Sequence, residues 1–226
     1  MEITIKNNWD DITWKEYEQI EQILTTDIPS DYKAVHLVSV LTGKPVDELE
    51  VLPISQFQKL LPSLEFLQTQ PETHYHQFEY SINGREYEFK GKLDEITTAQ
   101  YVDYRTYMDK EDKDVVELMS AFMIPKNHDY NDGYDMEQVK SDIGDMCWLD
   151  VRAAAFFFKI QLAAYILILK SSLVKDLKKE MKKEKNYKEK MILKHKIKML
   201  EESFNNSVSS LLSSRSAKNP IPPLTQ

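Results

Sequence analysis

The sequence predicts a mainly α protein: a helical bundle with one small antiparallel β-hairpin or sheet and long C-terminal helices. Three observations lead there. Apolar residues recur at helical spacing through most of the 226 residues. One stretch, FEYSINGREYEFKG, instead alternates apolar and polar residues around Asn83-Gly84. From near Cys147 a long helix is expected, an apolar first half giving way to a charged run, and a last amphipathic stretch precedes the proline-rich end.

The elements follow in chain order. Ile3 and Ile5 alternate with polar residues and predict a short strand. TWKEYEQIEQIL opens a helix, with Thr13 and Glu16 at capping-box spacing and Tyr17, Ile20, Ile23 and Leu24 on one face. SDYKAVHLVSVLTGKP gives a second helix, closed by Gly43, with Pro45 starting the next turn; His36 within it reads as a core histidine. PVDELEVLPISQFQKLLPSLEFL gives two more short helices. Asn83-Gly84 predicts a two-residue type I′ hairpin. Its register places Phe78, Tyr80, Ile82, Tyr87 and Phe89 on one face, and Glu79, Ser81, Glu86, Glu88 and Lys90 on the other. Helices are expected at TTAQYVDYRTYM, DVVELMSAFMI and MEQVKSDIGDM, and the acidic run Asp109–Asp114 suits a helix start, where the dipole favours negative charge.

KNHDYNDGYDMEQ carries Asp129, Asn131, Asp132 and Asp135, oxygens suited to a hard cation. With Gly133 at position 6 of a calcium loop, however, positions 1, 3 and 12 become His128, Tyr130 and Val139. Starting at Asp129 puts Lys140 at position 12. The segment reads instead as a turn: Pro125 stops a helix, Asn131-Asp132-Gly133 turns the chain, and Asp135 caps the next helix with Gln138 three residues on.

AAAFFFKIQLAAYILIL, residues 153–169, is apolar nearly all round a helical wheel. It sits at the lower limit for spanning a bilayer, and a central lysine such as Lys159 costs about 2.5–3.5 kcal/mol on insertion. Shelter by protein, in a bundle or between subunits, is the expectation, with no membrane. KDLKKEMKKEKNYKEK then reads as a solvated face. Leu193, Ile197, Leu200, Phe204 and Leu211 repeat near heptad spacing and suit helix pairing. SAKNPIPPLTQ is extended around Pro220, Pro222 and Pro223. Three parts result: an acidic helical domain, 1–152, with the hairpin (78–90) inserted; apolar-then-basic helices, 153–213; and a proline-rich tail, 214–226.

The net charge of −8 hides a division. Residues 1–152 carry 14 basic and 31 acidic side chains, and residues 153–226 carry 15 and 6. Such halves suit either mutual attraction or an anionic partner for the basic one. MEITIKNNWDD does not resemble a signal peptide, and the one cysteine, Cys147, fits a reducing compartment.

Catalytic motifs are scarce. The five glycines are spaced 41, 7, 42 and 11 apart, which makes neither a phosphate-binding P-loop nor a dinucleotide loop. No GxSxG, HExxH or CxxC occurs. One constellation remains: Glu79 opposite Glu88, with Lys90 two residues on, the parts of a PD-(D/E)xK nuclease holding Mg²⁺. The same residues are also the water-facing side of an amphipathic hairpin, which is the expected role. His74 and His76 could begin a zinc site, but no neighbouring cysteine or third histidine in the sequence completes it, and a solvated pair is expected. The lysines of 175–190, Lys178, Lys179, Lys182 and Lys183 among them, could meet phosphates, but only Tyr187 is interleaved and glutamates dilute them, so a solvated helix or a partner for the acidic half is the expected role.

WDDITWKEYEQIEQIL, AVHLVSVLTGKPVDELEVLPISQFQKLLPSLEFL, the hairpin, ITTAQYVDYRTYM and MIPKNHDYNDGYD, in that order, resemble small helical proteins in the structural-gene modules of tailed bacteriophages, notably phages of Bacteroidetes including the crAss-like group. The likeness covers roughly residues 9–170. It implies a component of the tail or head–tail connector ring, or a tail-assembly chaperone. The expected partners are portal, tail or ring proteins, in the virion or in the host cytoplasm during assembly. The residues agree in kind with a non-enzymatic, cofactor-free, homo-oligomeric subunit. Its contacts are expected at Phe156, Phe157, Lys159 and Ile160, at Leu200 and Phe204, and at the three tail prolines. Nucleic-acid binding by the basic helices is the alternative.

Overall fold

A computed structural model of the chain describes residues 3–72, 74–90, 95–108 and 114–213. The fold is mainly α with a small three-stranded antiparallel sheet. The described residues divide into two compact units: the first draws on 3–90 and 97–155, the second on 95–96 and 156–213. That division falls close to the change in charge at residue 152.

The first unit is built on two cores. One gathers the N-terminal helices: α1 (Trp14–Thr25), α2 (Ser30–Thr42), α3 (Val46–Glu50) and α4 (Ile54–Phe57). Thr13 and Glu16 form the predicted reciprocal box at the start of α1, with the Glu16 amide donating to Thr13 Oγ1 at 3.3 Å and the Thr13 amide to Glu16 Oε2 at 2.9 Å. Gly43 ends α2 in the left-handed region at φ 67°. Ile12, Ile20, Leu37, Val38, Leu41 and Leu67 are buried together with Trp148. Tyr17 stacks on Trp148 at 4.3 Å between ring centroids, and Trp9 meets it edge-on at 5.2 Å.

The second core lies under the sheet. β1 (Glu79–Ile82) and β2 (Arg85–Phe89) pair with Tyr80 opposite Tyr87 and Ile82 opposite Arg85. Asn83 and Gly84 both have positive φ, 51° and 75°, as a type I′ turn requires. Tyr80, Ile82, Tyr87 and Phe89 are buried as the alternation predicts, whereas Phe78 is exposed. Helices α5 (Thr98–Met108), α6 (Val115–Ser120) and α7 (Met136–Asp145) complete this part, and α7 packs on the sheet. Asp142, on α7, is 1% exposed and collects four donors. Tyr87 Oη donates at 2.5 Å, Asn83 Nδ2 at 3.0 Å, Arg85 Nη1 at 3.0 Å and Gln138 Nε2 at 3.1 Å.

Four expectations are corrected. Residues 3–7 form no strand: Lys6 N–H reaches the Leu41 carbonyl at a helix end, and Ile3 and Ile5 pack on the first core without a strand partner. Instead of two short helices after Pro45 there are α3, α4 and a 3-10 helix, Leu61–Gln68, because Pro53 and Pro62 divide the stretch. DVVELMSAFMI is not one helix: α6 ends at Ser120 and Met123–Pro125 becomes β3, pairing with β2. The free edge of β2 needs hydrogen-bond partners, and Lys90 N–H bonds to the Phe122 carbonyl at 2.8 Å. Pro125 therefore closes a strand, where its missing N–H is harmless. The turn after it is as expected, with Asp135 accepting from the amides of Glu137 and Gln138 and Asp132 accepting from that of Asp129. Of the acidic run, Asp114 caps α6; residues 109–113 lie outside the described residues.

A single helix, α8 (Trp148–Lys183), runs from the first unit into the second, where α9 (Tyr187–Ser213) follows after a short turn.

Candidate interaction surface

In the second unit α8 and α9 pair antiparallel. Lys170 Nζ donates to Asn205 Oδ1 at 2.6 Å, and Lys178 Nζ lies 3.6 Å from Glu201 Oε1. Val174 and Ile197 are buried, and Leu193, Leu200 and Phe204 are half-buried at the heptad positions read from the sequence. The predicted contacts Leu200 and Phe204 lie on this half-buried stripe of α9.

Among the described residues, part of the apolar stretch is exposed. An 18-residue window of α8 has a mean hydropathy of 1.6, yet only 24% of it is buried. Phe156, Ile160, Ala164, Leu167 and Ile168 follow i, i+4 and i+7 spacing and share one flank of the helix. Phe156 is 50% exposed and Ile168 66%. Tyr165, Leu169 and Leu173 extend the exposed apolar surface round the helix; Met191, Ile192 and Met199 are exposed on α9, alongside the charged part of α8. Of the predicted contact residues, Phe156 and Ile160 stand on this stripe, while Phe157 and Lys159 are half-buried. Pro220, Pro222 and Pro223 lie outside the described residues. Leu167 and Ile168 are equally prominent, and the same spacing rule points to them.

Beyond residue 173 the outer face is charged. Lys170, Lys175, Lys178, Lys179 and Lys182 line an open groove of about 700 Å³ with Leu167, Val174 and Glu201. Glu201 and Asp176 offset part of that charge, Asp176 lying 3.4 Å from Lys179 Nζ.

The hairpin carboxylates do not form an open pair. Glu79 does lie opposite Glu88, but Lys126, from the loop after β3, reaches across to Glu86 at 3.1 Å and Glu79 at 4.0 Å. Lys90 is turned toward Asp129 at 3.7 Å. The Lys126 pKa is raised by the hydrogen bond to Glu86 and the charges of Glu79 and Glu86.

The histidines differ from the expected solvated pair. His76 is half-buried, with the rings of Phe89 and Phe78 edge-on at 4.6 and 4.8 Å, and burial pushes its pKa down to about 4. His74 is held at both ring nitrogens, Nδ1 2.9 Å from Asp150 Oδ1 and Nε2 2.9 Å from Asp10 Oδ1. Burial alone would lower its pKa, but those two carboxylates outweigh it and the net shift is upward.

No family model matches the chain, and no curated protein or solved structure matches it either.

Proposed function

We propose that the chain is a non-enzymatic assembly subunit of a tailed bacteriophage, an oligomeric ring component of the tail or head–tail connector that associates through the exposed flank of α8. The likeness of residues 9–170 to phage structural-module proteins supports the phage setting. The exposed stripe Phe156–Ile160–Leu167–Ile168 supports association, since contiguous apolar surface of this kind marks a site of contact with protein or with membrane. Its occupants are copies of the same chain or portal, tail or ring proteins, in the virion or in the host cytoplasm during assembly. A tail-assembly chaperone would use the same surface transiently, and mass spectrometry of purified virions separates the two.

Sedimentation of the full chain tests the reading. Burying the exposed half of one such side chain is worth about 1 kcal/mol. Ile160→Glu with Ile168→Glu is expected to weaken self-association at least tenfold and leave the helical content intact. A parent chain that stays monomeric at high concentration and binds no phage structural protein would overturn it. So would flotation of the parent chain with lipid vesicles.

The lysine groove favours a second reading, an accessory that touches nucleic acid. It requires affinity that falls steeply with salt and drops when Lys178, Lys179, Lys182 and Lys183 are neutralised.

A further inference from the structure

We propose that His74, Cys147 and Asp150 form a binding site for a divalent transition metal of the zinc class, with Asp10 orienting the histidine. One donor atom from each of the three lies within 4.8 Å of the other two. Zinc bonds to nitrogen, oxygen and sulfur run from about 2.0 to 2.3 Å, so donors around one tetrahedral ion stand roughly 3.3–3.7 Å apart. With every donor pair inside 4.8 Å, no pair has more than about an ångström to close, and His74 Nδ1 and Asp150 Oδ1, 2.9 Å apart, open slightly.

The scaffold is already set for this. Cys147 and Asp150 are three residues apart at the start of α8, where the Asp150 amide bonds to the Cys147 carbonyl at 3.0 Å. Cys147 is fixed in turn by its bridge to Thr13, by the Trp14 amide on the Met146 carbonyl at 2.9 Å, and by the Trp148 amide on the Ile12 carbonyl at 3.0 Å. Asp10 belongs to a 3-10 turn, Trp9–Asp11, whose first amides are capped by Asn8. A histidine that ligates through one nitrogen ordinarily gives its other N–H to a carboxylate, and His74 Nε2 already faces Asp10 at 2.9 Å. Sulfur, imidazole and carboxylate together suit zinc and its neighbours and not magnesium or calcium. Three protein ligands leave a fourth position for water or a partner's side chain.

A cysteine-nucleophile site is the competing use of the same residues. It needs one ring nitrogen of the histidine on the thiol. Here both nitrogens are taken by carboxylates, so the relay is not assembled. Metal binding displaces the thiol proton and the proton shared by His74 and Asp150, and no redox change is involved.

Cobalt titration of the metal-free full chain tests the site. Cys147 is the single cysteine, so a thiolate-to-cobalt charge-transfer band can come from no other residue. The expected result is that band together with intense visible absorption of tetrahedral cobalt, saturating at one ion per chain and bleached by one equivalent of zinc. Cys147→Ser removes the band, and His74→Ala removes tight binding. Asp10→Asn keeps the band and the stoichiometry but weakens affinity by about 10–100-fold, as loss of an orienting carboxylate does elsewhere. Circular dichroism of each variant establishes that it is folded, and Asp10→Asn alone suffices if the ligand variants are not. Absence of the band in folded parent protein, or an affinity untouched by Asp10→Asn and His74→Ala, overturns the proposal.

Discussion

Removing the Asp142 carboxylate is expected to be the most damaging single polar change in the first unit. Asp142→Ala leaves the buried Tyr87 hydroxyl without its acceptor, a loss of about 1–3 kcal/mol. Asn83 and Gln138 lose one bond each. Arg85 is half-exposed and recovers water, so its share is small. A total of about 3–5 kcal/mol is expected, the range for breaking a buried charged network. Asp142→Asn keeps an acceptor oxygen for Tyr87 and loses less, about 1–2 kcal/mol. Trp9, Trp14 and Trp148 all lie in the first unit, so their fluorescence during urea unfolding reports on that unit alone. The pH dependence supplies a sign. Burial would raise the Asp142 pKa, but bonds from Tyr87, Asn83 and Arg85 and the guanidinium charge outweigh it, and the net shift is downward. A carboxyl held below its unfolded value of about 3.9 contributes stability above that pH and loses it as pH falls through the folded value. The gap between parent and Asp142→Asn is therefore expected to narrow in acid. An Asp142→Ala protein within 1 kcal/mol of the parent at neutral pH would refute this account of the sheet–helix junction.

Two smaller changes test local geometry by the same unfolding measurement. Thr13→Ala removes the cap of α1 and is expected to cost about 0.5–2 kcal/mol, with the Thr13–Cys147 backbone bridge retained. Gly43→Ala places a Cβ in open space at φ 67°, so any loss is conformational, about 1–2 kcal/mol; a loss near zero would mean that the helix end relaxes out of the left-handed region.

What could be read from the sequence was local. The Thr13–Glu16 box, the Asn83-Gly84 turn and the Asp135 cap each depend on residues within a few positions, and each is where it was expected. Asp142 carried no such signal, because Asn83, Arg85 and Tyr87 come to it from 55 to 59 residues away. His74 was read as solvated for the same reason: Asp10 and Asp150 lie 64 and 76 positions off. Met123–Pro125 is a strand because β2 offers it an edge, which local propensity does not encode. The heptad spacing of Leu193, Ile197, Leu200 and Phe204 announced a helix seam correctly, but it could not say whether the partner lay inside the chain or beyond it.

The hairpin of α8 and α9 contains its own control for that last question. From residue 175 on, the positions of α8 that face water are Lys175, Asp176, Lys178, Lys179, Glu180, Lys182 and Lys183, as solvation demands. From 156 to 173 the positions that face water include Phe156, Ile160, Leu167, Ile168 and Leu173. Both stretches belong to one helix, so the helical conformation itself does not explain the difference. Helices are held in water mainly by packing of their apolar face, and one buried seam already supplies that here. The extra apolar surface on the first stretch adds nothing to the isolated hairpin and lowers its solubility. It becomes favourable once a second surface covers it, which locates the proposed contact between residues 156 and 173.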